Sequence, residues 1–178
     1  MNDSEILSKE INAEKIKQVQ DRVNINSNLI NNLVDDLVSQ YCKDLDDYME
    51  FVKSLVTNTK QPPTDLELDD FTLRIPILLY FTGEAQESLG VKEDVCRAIK
   101  AELFNETFSN SKGTVADKTA LSELRSQEEA ITHIIYQRAY RKVKLRMEAA
   151  SEVLNSIKKV ITRRTEEYKI TAGDSGGI

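Results

Sequence analysis

The sequence of 178 residues has no tryptophan, three prolines, six glycines, two cysteines and one histidine. Three of the glycines lie in the last six residues, so the body of the chain has few turn-forming residues. A many-stranded β-barrel, which needs a turn about every 8–12 residues, is therefore excluded. We expect an all-α fold, an elongated helical bundle or coiled-coil hairpin with a long C-terminal helix.

Long apolar runs are also absent from the sequence. No stretch contains the roughly 18 consecutive apolar residues that a membrane-spanning helix needs. The two cysteines, Cys42 and Cys96, lie far apart in the sequence. This pattern predicts a cytoplasmic protein with reduced thiols and no membrane partner.

The sequence lacks the residue combinations that catalysis or metal binding requires. GDSGG at 173–177 is similar to the nucleophile loop of trypsin-like proteases, but a serine nucleophile needs a histidine within hydrogen-bond reach. His133 lies about 40 residues, or about 60 Å of helix, before this stretch. It also has no second ligand at metal-binding spacing. Acidic DLELDD at 65–70 lacks the glycine of a calcium loop. We predict no enzymatic activity, no cofactor and no metal site.

Charge is divided unevenly along the chain, whose net charge is -6. Residues 1–111 carry 11 Lys/Arg against 21 Asp/Glu, whereas residues 112–178 carry 13 against 9. Such a division indicates either a basic surface for a polyanion or an acidic surface on one subunit that faces a basic surface on its neighbour.

The first 60 residues are predicted to form an acidic helical extension. Residues 4–23 have sparse apolar positions and predict a weak helix, and NINSN at 24–28 predicts a break. Residues 28–57 have apolar side chains at helical spacing, and TNTKQPPTD at 57–65 ends this helix because proline cannot continue it.

Residues 64–170 are predicted to form the helical core, with long antiparallel helices. Pro76 predicts a kink or a new helix start, and SNSKG at 109–113 predicts a turn. From Thr114 onward the pattern allows one helix of about 55 residues, with a break as the alternative. The small polar residues at 171–178 predict a disordered tail.

An apolar seam is predicted along the last helix. Its residues are spaced three or four apart, which suits an antiparallel hairpin or a coiled-coil oligomer. The side chains expected to line an oligomer interface are Ile131, Ile135, Val143, Leu154, Ile157 and Ile161.

A basic strip is predicted on the opposite side of this helix, with Tyr136 and Tyr140 one turn apart beside it. When successive residues are placed 100° apart around the helix axis, five cations fall within an arc about 100° wide. They are Arg138, Arg141, Lys142, Lys159 and Arg163. Cations that follow phosphates, together with rings that stack on bases, are typical of proteins that bind single-stranded nucleic acid. The alternative is an ordinary charged helix face, because Glu148 and Glu152 interrupt the strip.

The order of these segments is similar to that of a known family. LELDDFTLRIPILLYF is followed by IKAELFNETFSNSKG and by a long helix that closes with VLNSIKKVITRRTEEYKITAG. Over roughly residues 64–173 this layout resembles the phage UvsY-type recombination mediators. The resemblance implies a small helical protein in the host cytoplasm that forms homo-oligomers through its C-terminal helices and binds single-stranded DNA. It also implies two protein partners, a RecA-like recombinase and the single-strand-binding protein of the strands onto which that recombinase is loaded.

The DNA-contact segment of that family corresponds to residues 100–108. Lys100 stands where a cation is expected, and Glu102 replaces a second cation. Phe104 and Phe108 stand where the family has tyrosines. These departures would shift DNA contacts toward Lys112 and the strip at 138–146.

Two other functions remain open from the sequence. One is a helical structural or scaffold protein, for instance of a virion, whose acidic and basic halves complement each other between subunits. The other is an inhibitor or adaptor that uses the acidic segment at 35–50 to occupy a basic site on a host protein.

Overall fold

A computed structural model describes the backbone of residues 3–58 and 61–174 and the side chains of residues 14–57 and 61–171. Within these residues the chain forms helices only. They are α1 (Asp3–Asn58), α2 (Asp65–Asn110), α3 (Val115–Arg125) and α4 (Gln127–Asp174). The predicted all-α fold is confirmed.

Two helices begin with a reciprocal capping box. At the start of α2 the Glu67 backbone N–H donates to Thr64 Oγ1 at 3.3 Å, and the Thr64 backbone N–H donates to the Glu67 carboxylate at 2.6 Å. Thr114 and Asp117 repeat this arrangement at the start of α3, with distances of 3.3 and 3.0 Å. Each box satisfies backbone N–H groups that a helix start otherwise leaves without partners.

The core contains two clusters of buried side chains. The first core cluster is Leu45, Val52, Leu68, Phe71, Ile75, Ala150, Leu154 and Ile157. The second core cluster is Val34, Val38, Cys42, Leu89, Ala139 and Val143. Going from the second core cluster to the first, the numbers of the cluster residues increase in α1 and in α4 and decrease in α2. Helix α1 therefore runs parallel to α4 and antiparallel to α2.

The predicted break at 24–28 is wrong, because α1 continues through these residues. Asparagine lowers helix propensity by well under about 1 kcal/mol per residue, so a helix that is already formed on both sides can continue through it. The second half of α1 contributes to both core clusters. The predicted extension and the predicted core are therefore packed together, and the loop between α1 and α2 marks their boundary.

A new helix start at Pro76 is also wrong, because Pro76 lies inside α2. Proline removes one backbone hydrogen bond, but Ile75 beside it is fully buried in the first core cluster. Packing on both sides of the proline keeps the two halves in one helix.

The long C-terminal helix is interrupted once, at Ser126, so the alternative with a break is the one observed. Ser126 has φ -97° and ψ 16°, and its Oγ donates to the Ser122 carbonyl oxygen at 2.9 Å. Both serines are buried. Helix α4 then extends to Asp174, into the segment predicted to be disordered, and residues 175–178 lie outside the described residues.

The apolar seam of α4 lies largely inside the chain's own bundle. Val143 is fully buried, and Leu154 and Ile157 are each 8% exposed in the first core cluster. Ile135 and Ile161 are half-buried against the clusters, and Ile131 is 39% exposed. Five of the six seam residues therefore pack within the chain's own core clusters, as the hairpin interpretation expects, and an oligomer interface at this seam stays a prediction.

Candidate nucleic-acid interface

Helix α4 carries most of the cations predicted to bind DNA. Arg138, Arg141, Lys159 and Arg163 are exposed, which places them on the solvent side of the helix. Among the described residues, the first three have no carboxylate partner within ion-pair distance. Arg163 lies 3.7 Å from Glu167 on the same helix, in a pair that is largely exposed. A solvent-exposed pair of this kind is weak, so its cation remains available to an anionic ligand.

The exposed cations of the predicted strip form two groups separated along α4. Arg138 and Arg141 make the first group, and Lys159 and Arg163 make the second, with about 38 Å between the first and last of these residues at 1.5 Å per residue. Glu148 and Glu152 are exposed between the groups. At 100° per residue both glutamates fall on or beside the same arc of the helix. The surface can therefore contact an extended polyanion at two places, with repulsion between them.

Lys142 differs from the other cations of the strip because it pairs with Asp35 of α1. Its side chain is 43% exposed, so the contact is open to solvent. Such a pair contributes at most about 1 kcal/mol. A phosphate can compete with Asp35 for this cation.

The acidic N-terminal part and the basic C-terminal part of the sequence form ion pairs with each other within one chain. Three cations of α4 pair with aspartates of α1 and α2. The pairs are Lys142–Asp35, Arg146–Asp46 and Arg164–Asp65. Part of the charge asymmetry is therefore used to join helices, which the sequence alone did not reveal because the paired residues are about 100 positions apart in the chain.

The two tyrosines beside the strip pack toward the core. Tyr136 and Tyr140 are half-buried against the second core cluster. The Nζ of Lys92 lies 5.9 Å from the Tyr136 ring centroid, and a Cβ at Gly90 would lie 3.4 Å from Tyr140 Cε2. Because these rings already have protein neighbours, less of each ring surface is open for stacking on a base.

Lys100 and Lys112 lie in a different part of the molecule. Lys100 is half-buried in α2, and Lys112 is exposed in the loop between α2 and α3. In the segment between them, the Phe104 and Phe108 rings stack with centroids 6.3 Å apart and an interplanar angle of 14°. Lys118 of α3 lies 5.7 Å from the Phe108 centroid. This segment is therefore partly occupied by contacts within the chain.

His133 belongs to a half-buried polar cluster between α2 and α4. Its Nε2 lies 3.6 Å from a carboxylate oxygen of Glu93, and the same carboxylate accepts a hydrogen bond from Gln137 at 3.2 Å. Within the described part of the chain, no three His, Cys, Asp or Glu side chains are placed to hold a metal ion. None of the described helices is long and apolar enough to cross a membrane.

Sequence reasoning missed an exposed apolar surface on α2. Leu73, Ile77, Tyr80 and Phe81 are each 55–68% exposed, although this helix also contributes Phe71 and Ile75 to the core. The signal was present in LRIPILLYF, which is apolar apart from Arg74, and such a segment has more apolar surface than one core can cover.

The chain was compared with protein-family models, with curated proteins and with solved structures. None of these comparisons finds a match. The resemblance to UvsY-type mediators stays a prediction that rests on the residues quoted for it.

Proposed function

We propose that this chain is a non-enzymatic recombination mediator of phage type that binds single-stranded DNA and assists recombinase loading. The observation that carries the proposal is the row of exposed cations on one side of α4, in which Arg138, Arg141 and Lys159 have no carboxylate partner among the described residues. The family resemblance supplies the recombinase and the single-strand-binding protein as partners. No bond is made or broken in this role, which consists of holding a strand and proteins together.

Binding of this kind depends on phosphate neutralisation. Each cation that contacts a phosphate of single-stranded DNA releases about 0.7 counterion, so affinity falls steeply as salt rises. Only a few exposed cations lie on this side of α4, so one chain would bind weakly. A homo-oligomer would multiply these contacts through avidity.

Fluorescence anisotropy of labelled single-stranded DNA, at low and moderate salt and with duplex of equal length as control, tests the proposal. We expect Arg138→Ala/Arg141→Ala to weaken binding at least about tenfold and to lower the salt slope by about 1.4. The charge-matched control, Lys43→Ala/Lys53→Ala on exposed positions of α1, changes affinity by less than about threefold. Glu148→Gln/Glu152→Gln, which removes the repulsion between the two cation groups, should tighten binding.

Two results would contradict this function. One is absence of binding at low salt by a protein whose helicity is intact. The other is an equal loss of affinity in the α4 variant and the α1 control, which would mean that DNA binding depends only on the net charge of the chain.

The exposed apolar face of α2 supports a second candidate, a helical scaffold or virion-associated interaction protein. Leu73, Ile77, Tyr80 and Phe81 form an apolar surface of the kind that marks protein–protein contacts. Sedimentation without DNA separates the candidates. Assembly in the absence of DNA that Ile77→Asp weakens favours the scaffold, and DNA binding that depends on Arg138 and Arg141 favours the mediator.

A further inference from the structure

Residues 14–29 of α1 lie outside the rest of the bundle. Every side chain from residue 14 to residue 29 is exposed, and the first buried side chain of the helix is Val34. Isolated helices are marginally stable in water, and most helices in proteins are stabilised by packing one face against a partner. None of α2, α3 or α4 covers this part of α1.

The exposed segment has a heptad pattern. Starting at Ile16, apolar side chains recur at alternating spacings of three and four, with one asparagine in the series. The series is Ile16, Val19, Val23, Asn26, Ile30, Leu33 and Leu37. We call Ile16 to Leu33, a length of about 26 Å, the α1 heptad seam. This is the spacing of positions a and d in a coiled coil. The break expected at 24–28 concealed it, because the two parts join in register only when the helix is continuous.

The seam is apolar yet exposed to solvent. Ile16, Val19 and Val23 are 55–59% exposed, and Leu33 is 43% exposed where the seam reaches the bundle. The side of the helix away from the seam is mainly polar, with Lys17, Asp21, Asn24 and Asn28. One face of a projecting helix is therefore suited to burial, and the other is suited to water.

We propose that the α1 heptad seam binds the same seam of a second copy of this chain, forming a parallel two-stranded coiled coil. The exposed a positions hold Ile16 and Val23, and the next one, Ile30, is half-buried against the second core cluster. β-branched residues at a with leucine at d, as at Leu33, favour two parallel strands. This inference does not depend on DNA binding, and it uses a different helix from the C-terminal seam expected from the sequence.

Asn26 is the residue that specifies a second copy aligned in register. A polar side chain within an apolar seam is costly unless it finds a hydrogen-bond partner. In a parallel, symmetric pair, Asn26 of each chain lies opposite Asn26 of the other, and the two amides can bond to each other. An antiparallel pair would place Asn26 opposite Val23, which has no polar group. Asn26 stands at a d position of this pattern, and its pairing with the other Asn26 would fix the register of the two seams.

The charges beside the seam are compatible with the parallel pair. Positions g hold Lys15 and Arg22, and positions e hold Gln20 and Ser27. Across the parallel interface Lys15 faces Gln20 of the second copy, and Arg22 faces its Ser27. No like charges therefore meet at these positions, and the cations can donate hydrogen bonds to the neutral oxygens.

Sedimentation equilibrium of the full chain without DNA tests the proposal. We expect a concentration-dependent dimer and at least about 100-fold weaker association for Ile16→Asp/Val23→Asp, because each aspartate would bury a charge in the seam. The control Gln18→Asp/Ile25→Asp adds two aspartates on the side away from the seam, and it should change the association less than about threefold. Asn26→Leu should tighten association.

Cross-linking tests the orientation. In a Cys96→Ser background, Asn26→Cys should form a disulfide-linked dimer with oxidised glutathione, because the parallel register brings the two Cα atoms to about 6 Å. Ile25→Cys in the same background should remain unlinked. A monomeric wild-type chain at the highest concentration measured, equal weakening by the two aspartate pairs, or no link at position 26 would each overturn the proposal.

Discussion

Arg146 shows how one side chain can hold several polar groups at the edge of the core. Its guanidinium pairs with Asp46 and lies near the buried thiol of Cys42. Burial raises the pKa of Cys42, and the negative charge of Asp46 adds to this effect, whereas Arg146 opposes it. Burial also raises the pKa of the Asp46 carboxyl, again against the influence of Arg146. Arg146 therefore offsets part of the cost of burying this carboxyl beside the thiol, and its guanidinium is already paired within the chain.

Two phenylalanines of α2 allow a direct test of which face of this helix is the core. Phe71 is 1% exposed and meets the Tyr48 ring edge-on, with centroids 6.4 Å apart, whereas Phe81 is 61% exposed. We expect Phe71→Ala to lower the free energy of unfolding by about 3–5 kcal/mol. Phe81→Ala should change it by less than about 0.5 kcal/mol. Urea denaturation measures both, and equal losses would mean that α2 is rotated from the orientation described.

At the scale of the helices, local turn signals were predicted well and helix continuity was not. The ends of α1 and α2 were predicted because Pro62 and Pro63 restrict the backbone and Gly113 permits a turn after α2. Gly113 has φ +124°, a conformation that other residues rarely adopt. The errors at 24–28 and at Pro76 arose because each penalty is small compared with the packing that follows along the same helix.

The candidate site was predictable only in part for a similar reason. The positions of Arg138, Arg141, Lys159 and Arg163 on one side of α4 follow from helical geometry alone. The pairing of Lys142 with Asp35, and the packing of Tyr140 against Gly90, depend on contacts between distant segments. The helical periodicity of a single sequence does not reveal contacts between distant segments.

The capping boxes predict how stability depends on pH. Hydrogen bonds from the Thr64 backbone and side chain lower the pKa of Glu67, and those from the Thr114 side chain and backbone lower the pKa of Asp117. A carboxyl whose pKa is lower in the folded chain stabilises the fold above its unfolded-state pKa, and this contribution is lost as pH falls through the folded-state pKa. We therefore expect stability to fall as the pH drops below about 4.5.

Urea midpoints at about pH 6 and about pH 3 measure this dependence. Glu67→Gln/Asp117→Asn keeps hydrogen-bonding side chains at both caps but removes their titration, so the two midpoints should lie closer together than in the wild type. The control Glu106→Gln/Glu123→Gln removes two exposed carboxylates away from the helix starts. If the control reduced the pH dependence as much as the cap variant, the capping boxes would not be its source.

Over the whole molecule, three helices share one elongated core, and exposed apolar surfaces remain among the described residues. They include the outer face of α2 around Ile77 and the α1 heptad seam. Both lie on the helices that the acidic front half provides. The basic back half instead supplies α4, whose apolar side is buried and whose cations are divided between aspartates of the same chain and solvent. Self-association is therefore expected from α1, and polyanion binding from α4.

This division predicts that the apolar seam of α4 matters for folding and has no direct part in association. Leu154 lies in the first core cluster and is 8% exposed. We expect Leu154→Ala to lower the free energy of unfolding by about 2–5 kcal/mol in urea, because it leaves a cavity between three helices. The dimer constant from sedimentation should stay within about threefold of the wild type under conditions where the variant is folded, since Leu154 lies outside the α1 heptad seam. Ile131→Ala, at an exposed end of the same seam, should change stability by less than about 1 kcal/mol.

Dissociation of the Leu154→Ala dimer without loss of unfolding free energy would instead show that the C-terminal seam joins two chains, and the α1 heptad seam would then need another occupant.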